Sequence, residues 1–176
     1  ASTPKTFGSP STTSPAGAAA TGSSARFDDP RGLTVGPTGD VFVADTYNDC
    51  IRKITPDGIV TTLAGTDTSG YADDTGSAAR FYRPWDVAAA RDGNLYVADR
   101  YNYRIRRVSP TGVVTTVAGT GSSTRRDGRG DQAGFQDDLG IEVGPGGDLY
   151  VGEAECLRLI QRGVSVGDTT VAAAAR

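Results

Sequence analysis

Short apolar runs closed by turn residues, rather than helical stripes, carry the hydrophobic positions of this chain. Val41-Phe42-Val43-Ala44 ends on Asp45, and Leu95-Tyr96-Val97-Ala98 ends on Asp99. Runs of this length, bounded by Gly, Pro, Asn and Asp, predict β-strands. The expected strands are 32–35, 41–44, 50–54 and 59–64, then 86–89, 95–98, 104–108 and 113–118, then 139–143, 149–152, 156–160 and 169–172. Gly36-Pro37-Thr38-Gly39-Asp40, Pro56-Asp57-Gly58, Arg91-Asp92-Gly93-Asn94 and Ser109-Pro110-Thr111-Gly112 supply the turns between them.

The pattern repeats. Phe27, Phe81 and Phe135 step by 54 residues, and so do Asp45, Asp99 and Glu153. Thr61-Thr62-Leu63, Thr115-Thr116-Val117 and Thr169-Thr170-Val171 keep the same step. A fixed period of this length marks an array of supersecondary units, each burying its apolar face against its neighbours. The third copy drops two residues before Cys156 and regains two before Thr169. Residues 1–24, rich in Ser, Thr, Pro and Ala, read as a linker or as the end of a preceding unit. The second view draws on the match of Thr21–Phe27 with Thr75–Phe81. Residues 25–176 then form the array, with units at about 27–66, 81–120 and 135–173. The connections 66–80 and 120–134 are each fifteen residues, long for a compact domain.

Composition narrows the chemistry. The 176 residues contain no His and no Met, two Cys, and a formal net charge of −3. Without His there is no imidazole base, no His-containing triad and no His-ligated metal. Cys50 and Cys156 occupy equivalent positions two repeats apart, too far to bridge in a radial array, and are expected as free thiols. No apolar run approaches the length of a membrane span. The Ser/Thr/Pro-rich lead and the missing Met and His point towards an extracytoplasmic setting. Charge alternates by unit: −5 over residues 27–80, +4 over 81–134 and −4 over 135–176. A continuous basic surface, which nucleic acid would need, is not in this pattern, and alternating patches suit protein contacts.

Several motifs carry a resemblance. They are Pro30-x-Gly32, Gly39-Asp40-Val41-Phe42-Val43-Ala44-Asp45, Asn48 and Ile51-Arg52-Lys53-Ile54. The second copy runs Asp92-Gly93-Asn94-Leu95-Tyr96-Val97-Ala98-Asp99, Asn102 and Arg104-Ile105-Arg106. These resemble NHL repeats, the blades of a β-propeller. The resemblance implies an all-β fold of three four-stranded antiparallel blades, part or half of a larger, six-bladed ring. In the third copy Asp138 replaces the Pro and the turn Asn is missing. The expected partners are proteins, the remaining blades of the propeller, or a second copy of the chain.

In such a fold the turn between second and third strands shares a face with the long connections. That face would gather Tyr47, Asn48, Tyr71, Trp85, Arg100, Tyr101, Asn102, Tyr103, Arg125 and Arg126. Tyr, Trp and Arg dominate binding hot spots. Asp45, Asp99 and Glu153 recur opposite Arg52, Arg106 and Arg158, and recurrence favours a brace within each blade over catalysis. Asp73-Asp74 and the Asp127-to-Asp131 stretch lack the ligand order of a calcium loop, so neither metal nor cofactor is expected. Arg129-Gly130-Asp131 spells an adhesion tripeptide and reads as accidental loop composition. The expected function is a non-catalytic interaction scaffold. The alternatives are a propeller enzyme, lyase- or hydrolase-like, working through carboxylates, and a carbohydrate-binding propeller.

Overall fold

The computed structural model describes residues 20–21, 24–136, 140–161 and 169–175. Most of the 1–24 lead, together with Asp138 and Leu139, lies outside the described residues. The chain is all-β, in three antiparallel sheets. The first holds β1 (Ala20–Thr21), β2 (Pro30–Val35), β3 (Val41–Asp45), β4 (Cys50–Ile54) and β5 (Ile59–Gly65), ordered β1-β5-β4-β3-β2. The second holds β6 (Pro84–Ala89), β7 (Leu95–Asp99), β8 (Arg104–Val108) and β9 (Val114–Ala118) in sequence order. The third holds β10 (Gly128–Arg129), β11 (Gly140–Val143), β12 (Leu149–Glu153), β13 (Cys156–Gln161) and β14 (Thr170–Ala175), ordered β10-β14-β13-β12-β11. Each sheet carries four consecutive antiparallel strands, the arrangement of a propeller blade. The inner strands β2 and β11 both pack on β6.

The long connections do more than the sequence suggests. Ala20 and Thr21 pair with β5, Thr75 bridges Val113 beside β9, and Gly128 and Arg129 pair with β14. The first and third blades thus receive a short fifth strand from the segment that precedes them, and the second a single bridge, which covers an outer edge otherwise open to stray pairing. Gly130 sits inside this stitching. Its N–H donates to the Thr169 carbonyl, and its own carbonyl accepts from the Gly119 N–H. A Cβ there would stand 2.6 Å from the Val117 carbonyl oxygen. The adhesion tripeptide is therefore held against two blades rather than offered on a free loop.

The core consists of the seams between blades. Phe42, Ala44 and Ile51 of the first blade meet Val87, Leu95 and Val97 of the second, with Phe81 beneath them. Tyr96, Ala98 and Ile105 on the reverse of the second blade meet Ile141, Leu149 and Val151 of the third, with Phe135 in the matching place. Alternate residues of one strand thus serve opposite seams, as the period of two demands. The two outermost faces have no such neighbour among the described residues. Leu33 is 64% exposed where its equivalent Val87 is 2% exposed, and Leu157 is 39% exposed where Ile105 is 0%.

Candidate functional site

The turns between second and third strands are single 3-10 turns, Thr46–Asn48 and Arg100–Asn102. Each ends on a left-handed residue, Asp49 (φ 48°) or Tyr103 (φ 50°). Their backbone is fixed by the connection before the blade: the Tyr47 N–H donates to the Asp28 carbonyl and the Tyr101 N–H to the Tyr82 carbonyl. This brings the turns, the connections and the mouths of the inner strands onto one face.

Rings and guanidinium groups alternate across that face. Trp85 lies between Arg31 and Arg100, each 4.0 Å from its ring centroid. Arg100 also reaches Tyr101 at 5.1 Å, and Arg83 lies 4.5 Å from Tyr47 and 5.2 Å from Tyr101. Tyr82 meets Tyr101 edge-on, with centroids 5.1 Å apart. Contacts of this kind contribute about 0.5–1 kcal/mol each where exposed and more where desolvated. The series locks long side chains into a plate spanning the first and second blades. Tyr47 is 47% exposed and Tyr82 is 40% exposed, so their rings remain open to a partner. Trp85, by contrast, is half-buried, with two guanidinium groups against its ring.

Beneath the plate lie the braces. Asp45 accepts from the Asp28 N–H at 2.8 Å and from Asn48 at 2.9 Å, and Asp99 accepts from the Tyr82 N–H and Asn102 at 2.8 Å each. Arg106 meets Asp99 at 2.7 Å, and Arg158 meets Glu153 at 2.8 Å. A second acid comes from each connection, Asp73 to Arg106 and Asp127 to Arg158. Arg52 reaches Asp45 only at 3.7 Å, and its Nε has no partner among the described residues. Fifty-four residues before Asp73 the sequence has Ala19, so the first blade lacks the second acid. Burial is the largest influence on Asp99 and lifts its carboxyl to about 6, against the pull of Arg106 and the donated hydrogen bonds. These carboxylates tie the turn and third strand of each blade to the connection before it.

The NHL repeat model matches residues 27–54 and 81–108. This is an NHL-repeat chain. NHL repeat-containing protein 2 of Bos taurus is 35% identical over 144 residues, covering 73% of this chain and 20% of that protein. The Homo sapiens counterpart is 33% identical over the same length and coverage. The NHL chain thus spans about a fifth of the length of these relatives. Among solved structures, an auxiliary nutrient binding protein from Bacteroides thetaiotaomicron superposes with a TM-score of 0.63 at 18% identity, covering 80% of this chain and 36% of that one. A catalytically inactive virginiamycin B lyase from Staphylococcus aureus gives 0.53 at 19%, covering 81% and 40%. At these identities the likeness is one of fold.

The remaining sequence candidates divide. Tyr71 lies off the plate, with its hydroxyl 3.0 Å from Thr116 Oγ1 and Arg104 over its ring at 4.0 Å. It borders a 440 Å³ cleft with Thr116, Thr120, Asp131 and Gln132. Asn48 and Asn102 use their amides inside the braces, and Asn102 also donates to the Gly70 carbonyl. Tyr103 caps its turn. Arg125 pairs with Glu153 and Glu155, and the Arg126 carbonyl accepts from Arg158. Both arginines line a second cleft of 410 Å³ with half-buried Cys156. Cys50 and Cys156 are both free, and burial pushes the Cys50 thiol up to about 12. Among the described residues no three His, Cys, Asp or Glu groups converge on a metal position, and no helix is long and apolar enough to cross a membrane.

Three members of the plate escaped the sequence reading: Arg31, and the adjacent pair Tyr82 and Arg83. The signal of the pair is a departure from the NHL period: the equivalent positions hold Asp28-Asp29 and Gln136-Asp137.

Proposed function

We propose that this NHL segment is a non-catalytic interaction module that engages a protein through its loop face. The observation that carries the reading is the plate of Arg31, Trp85, Arg100, Tyr101, Arg83 and Tyr47. Rigid aromatic and arginine side chains, already ordered before binding, lose little conformational entropy on contact. The acids below them are fully engaged as braces, which favours recognition over chemistry. The test compares affinity capture by the chain and by a Tyr47→Ala/Tyr101→Ala variant, with retained proteins quantified. Selective loss of partners at unchanged circular dichroism supports the reading, and an identical retained set rejects it.

The two end faces support a second kind of partner, another blade. Tyr150 is 39% exposed at one end where its equivalent Tyr96 is 1% exposed, and Val35 is 62% exposed at the other. Either a second copy or further blades of a longer chain would cover them, completing a larger propeller. Light scattering on the 176-residue chain tests the first option, with a mass of twice 18.2 kDa expected for a ring of two copies. A monomer excludes that option.

A further inference from the structure

We propose that the Arg83 guanidinium is a receptor for a carboxylate, so that the partner segment docking on the loop face is acidic. This rests on the loop-face reading above and adds the chemistry of the partner.

Arg83 is positioned with unusual care. Its backbone is left-handed (φ 51°), a conformation that non-glycine residues adopt only at a cost. Its N–H donates to Asp49 Oδ1 of the preceding blade at 2.6 Å, and Asp49 is itself left-handed. Next door, the buried Thr46 hydroxyl donates to the Pro84 carbonyl at 2.8 Å. The equivalent Asp29 has the same left-handed backbone (φ 49°), so the conformation belongs to the repeat, and the two hydrogen bonds across the seam fix where it places the Arg83 side chain.

The Arg83 guanidinium carbon lies 4.5 Å from the Tyr47 ring centroid and 5.2 Å from that of Tyr101, so two rings flank the group. Other ring-stacked arginines of the chain satisfy their N–H groups internally. Arg31 meets Asp29, Arg104 meets the Asn102 and Thr120 carbonyls, Arg106 meets Asp99, and Arg158 meets Glu153. Among the described residues the Arg83 side chain has no oxygen within hydrogen-bond or ion-pair distance. The nearby Asp49 carboxylate accepts from the Arg83 backbone N–H and feels the guanidinium charge only from beyond ion-pair distance. A planar fork flanked by two rings, its N–H groups without an oxygen partner among the described residues, matches a carboxylate through two parallel hydrogen bonds.

The sequence gives the site its sign. The repeat carries Asp29 and Asp137 where the middle blade carries Arg83. The middle unit is also the positive one, flanked by negative neighbours, so an acidic segment is drawn to this seam and repelled from the flanking units.

The probe is a hexaglutamate peptide, with hexaglutamine as control, titrated into the 15N-labelled chain and followed by chemical shifts. The expected result is perturbation centred on Tyr47, Tyr82, Arg83 and Tyr101 with glutamate only. Arg83→Gln should weaken binding at least tenfold, Arg83→Lys should restore part of it, and Arg91→Gln, on an exposed turn elsewhere, should leave it unchanged. Equal binding of hexaglutamine, or shifts centred elsewhere, overturns the proposal on the native chain without any variant. Unchanged affinity in Arg83→Gln with shifts still on the loop face also overturns it, yet leaves the loop-face reading standing. That reading falls separately, if the Tyr47→Ala/Tyr101→Ala capture is unchanged.

Discussion

Replacing Arg106 with Met should destabilise the chain strongly, and by an amount that depends on pH. The side chain is completely buried. Its guanidinium donates to Asp99, to Asp73 through two nitrogens, and to the Arg80 and Ala72 carbonyls. Met restores much of the volume but leaves Asp99 buried without its cation. Breaking a buried pair from one side costs about 3–5 kcal/mol. The pH dependence follows from Asp99. Its folded value, about 6, lies above the ordinary carboxyl value of 3.8, so the folded state binds this proton more readily than the unfolded state. Stability from this group is present at low pH and is lost as pH rises from about 4 to 6. Without Arg106 the folded value rises further, and the loss continues to higher pH. The destabilisation of Arg106→Met relative to the parent should therefore be larger at pH 8 than at pH 5. Urea unfolding followed by circular dichroism at both values measures it. A loss below about 1 kcal/mol, or the same loss at both pH values, would refute the view of Asp99–Arg106 as a buried, ionised brace.

Arg52→Met should cost clearly less than Arg106→Met in the same assay, because the Arg52 contact with Asp45 is longer and its blade lacks the second acid; equal losses would contradict this. Gly130→Ala should destabilise by about 1–3 kcal/mol through overlap with the Val117 carbonyl, while Asp131→Asn should be near neutral by thermal unfolding. Iodoacetamide at pH 8 should label half-buried Cys156 in the folded chain and reach Cys50 only on unfolding, since burial keeps the Cys50 thiol protonated to about 12; peptide mapping reads the ratio. Asp49→Ala should release Arg83 from its left-handed backbone, and the Tyr47 and Tyr101 ring resonances should lose their guanidinium-dependent shifts.

The period of 54 made the blades readable because each apolar alternation must repeat to fill the next seam. Strand ends moved by one to three residues, as with Pro30–Val35 against the expected 32–35. The fifth strands were not legible. Gly128–Arg129, like the single bridge at Thr75, pairs through backbone alone, so no side-chain alternation announces it. At the loop face, Tyr47, Trp85, Arg100 and Tyr101 were readable from residue type and turn position. Asn48 and Asn102 share that position, but an amide beside a buried carboxylate is drawn inward to satisfy it. Tyr82 and Arg83 stayed hidden because a search for what repeats passes over residues that break the repeat.

The uncovered end faces have a consequence for assembly. One end resembles the front of an inner blade and the other the back, so two copies would meet head to tail, front to back. Such a heterologous contact regenerates an open front and an open back with every addition. It stops only when the accumulated rotation returns the last blade to the first. The tilt between successive seams, set by side chains as small as Ala44 and Ala98 at their centres, therefore separates a closed ring from an open-ended filament.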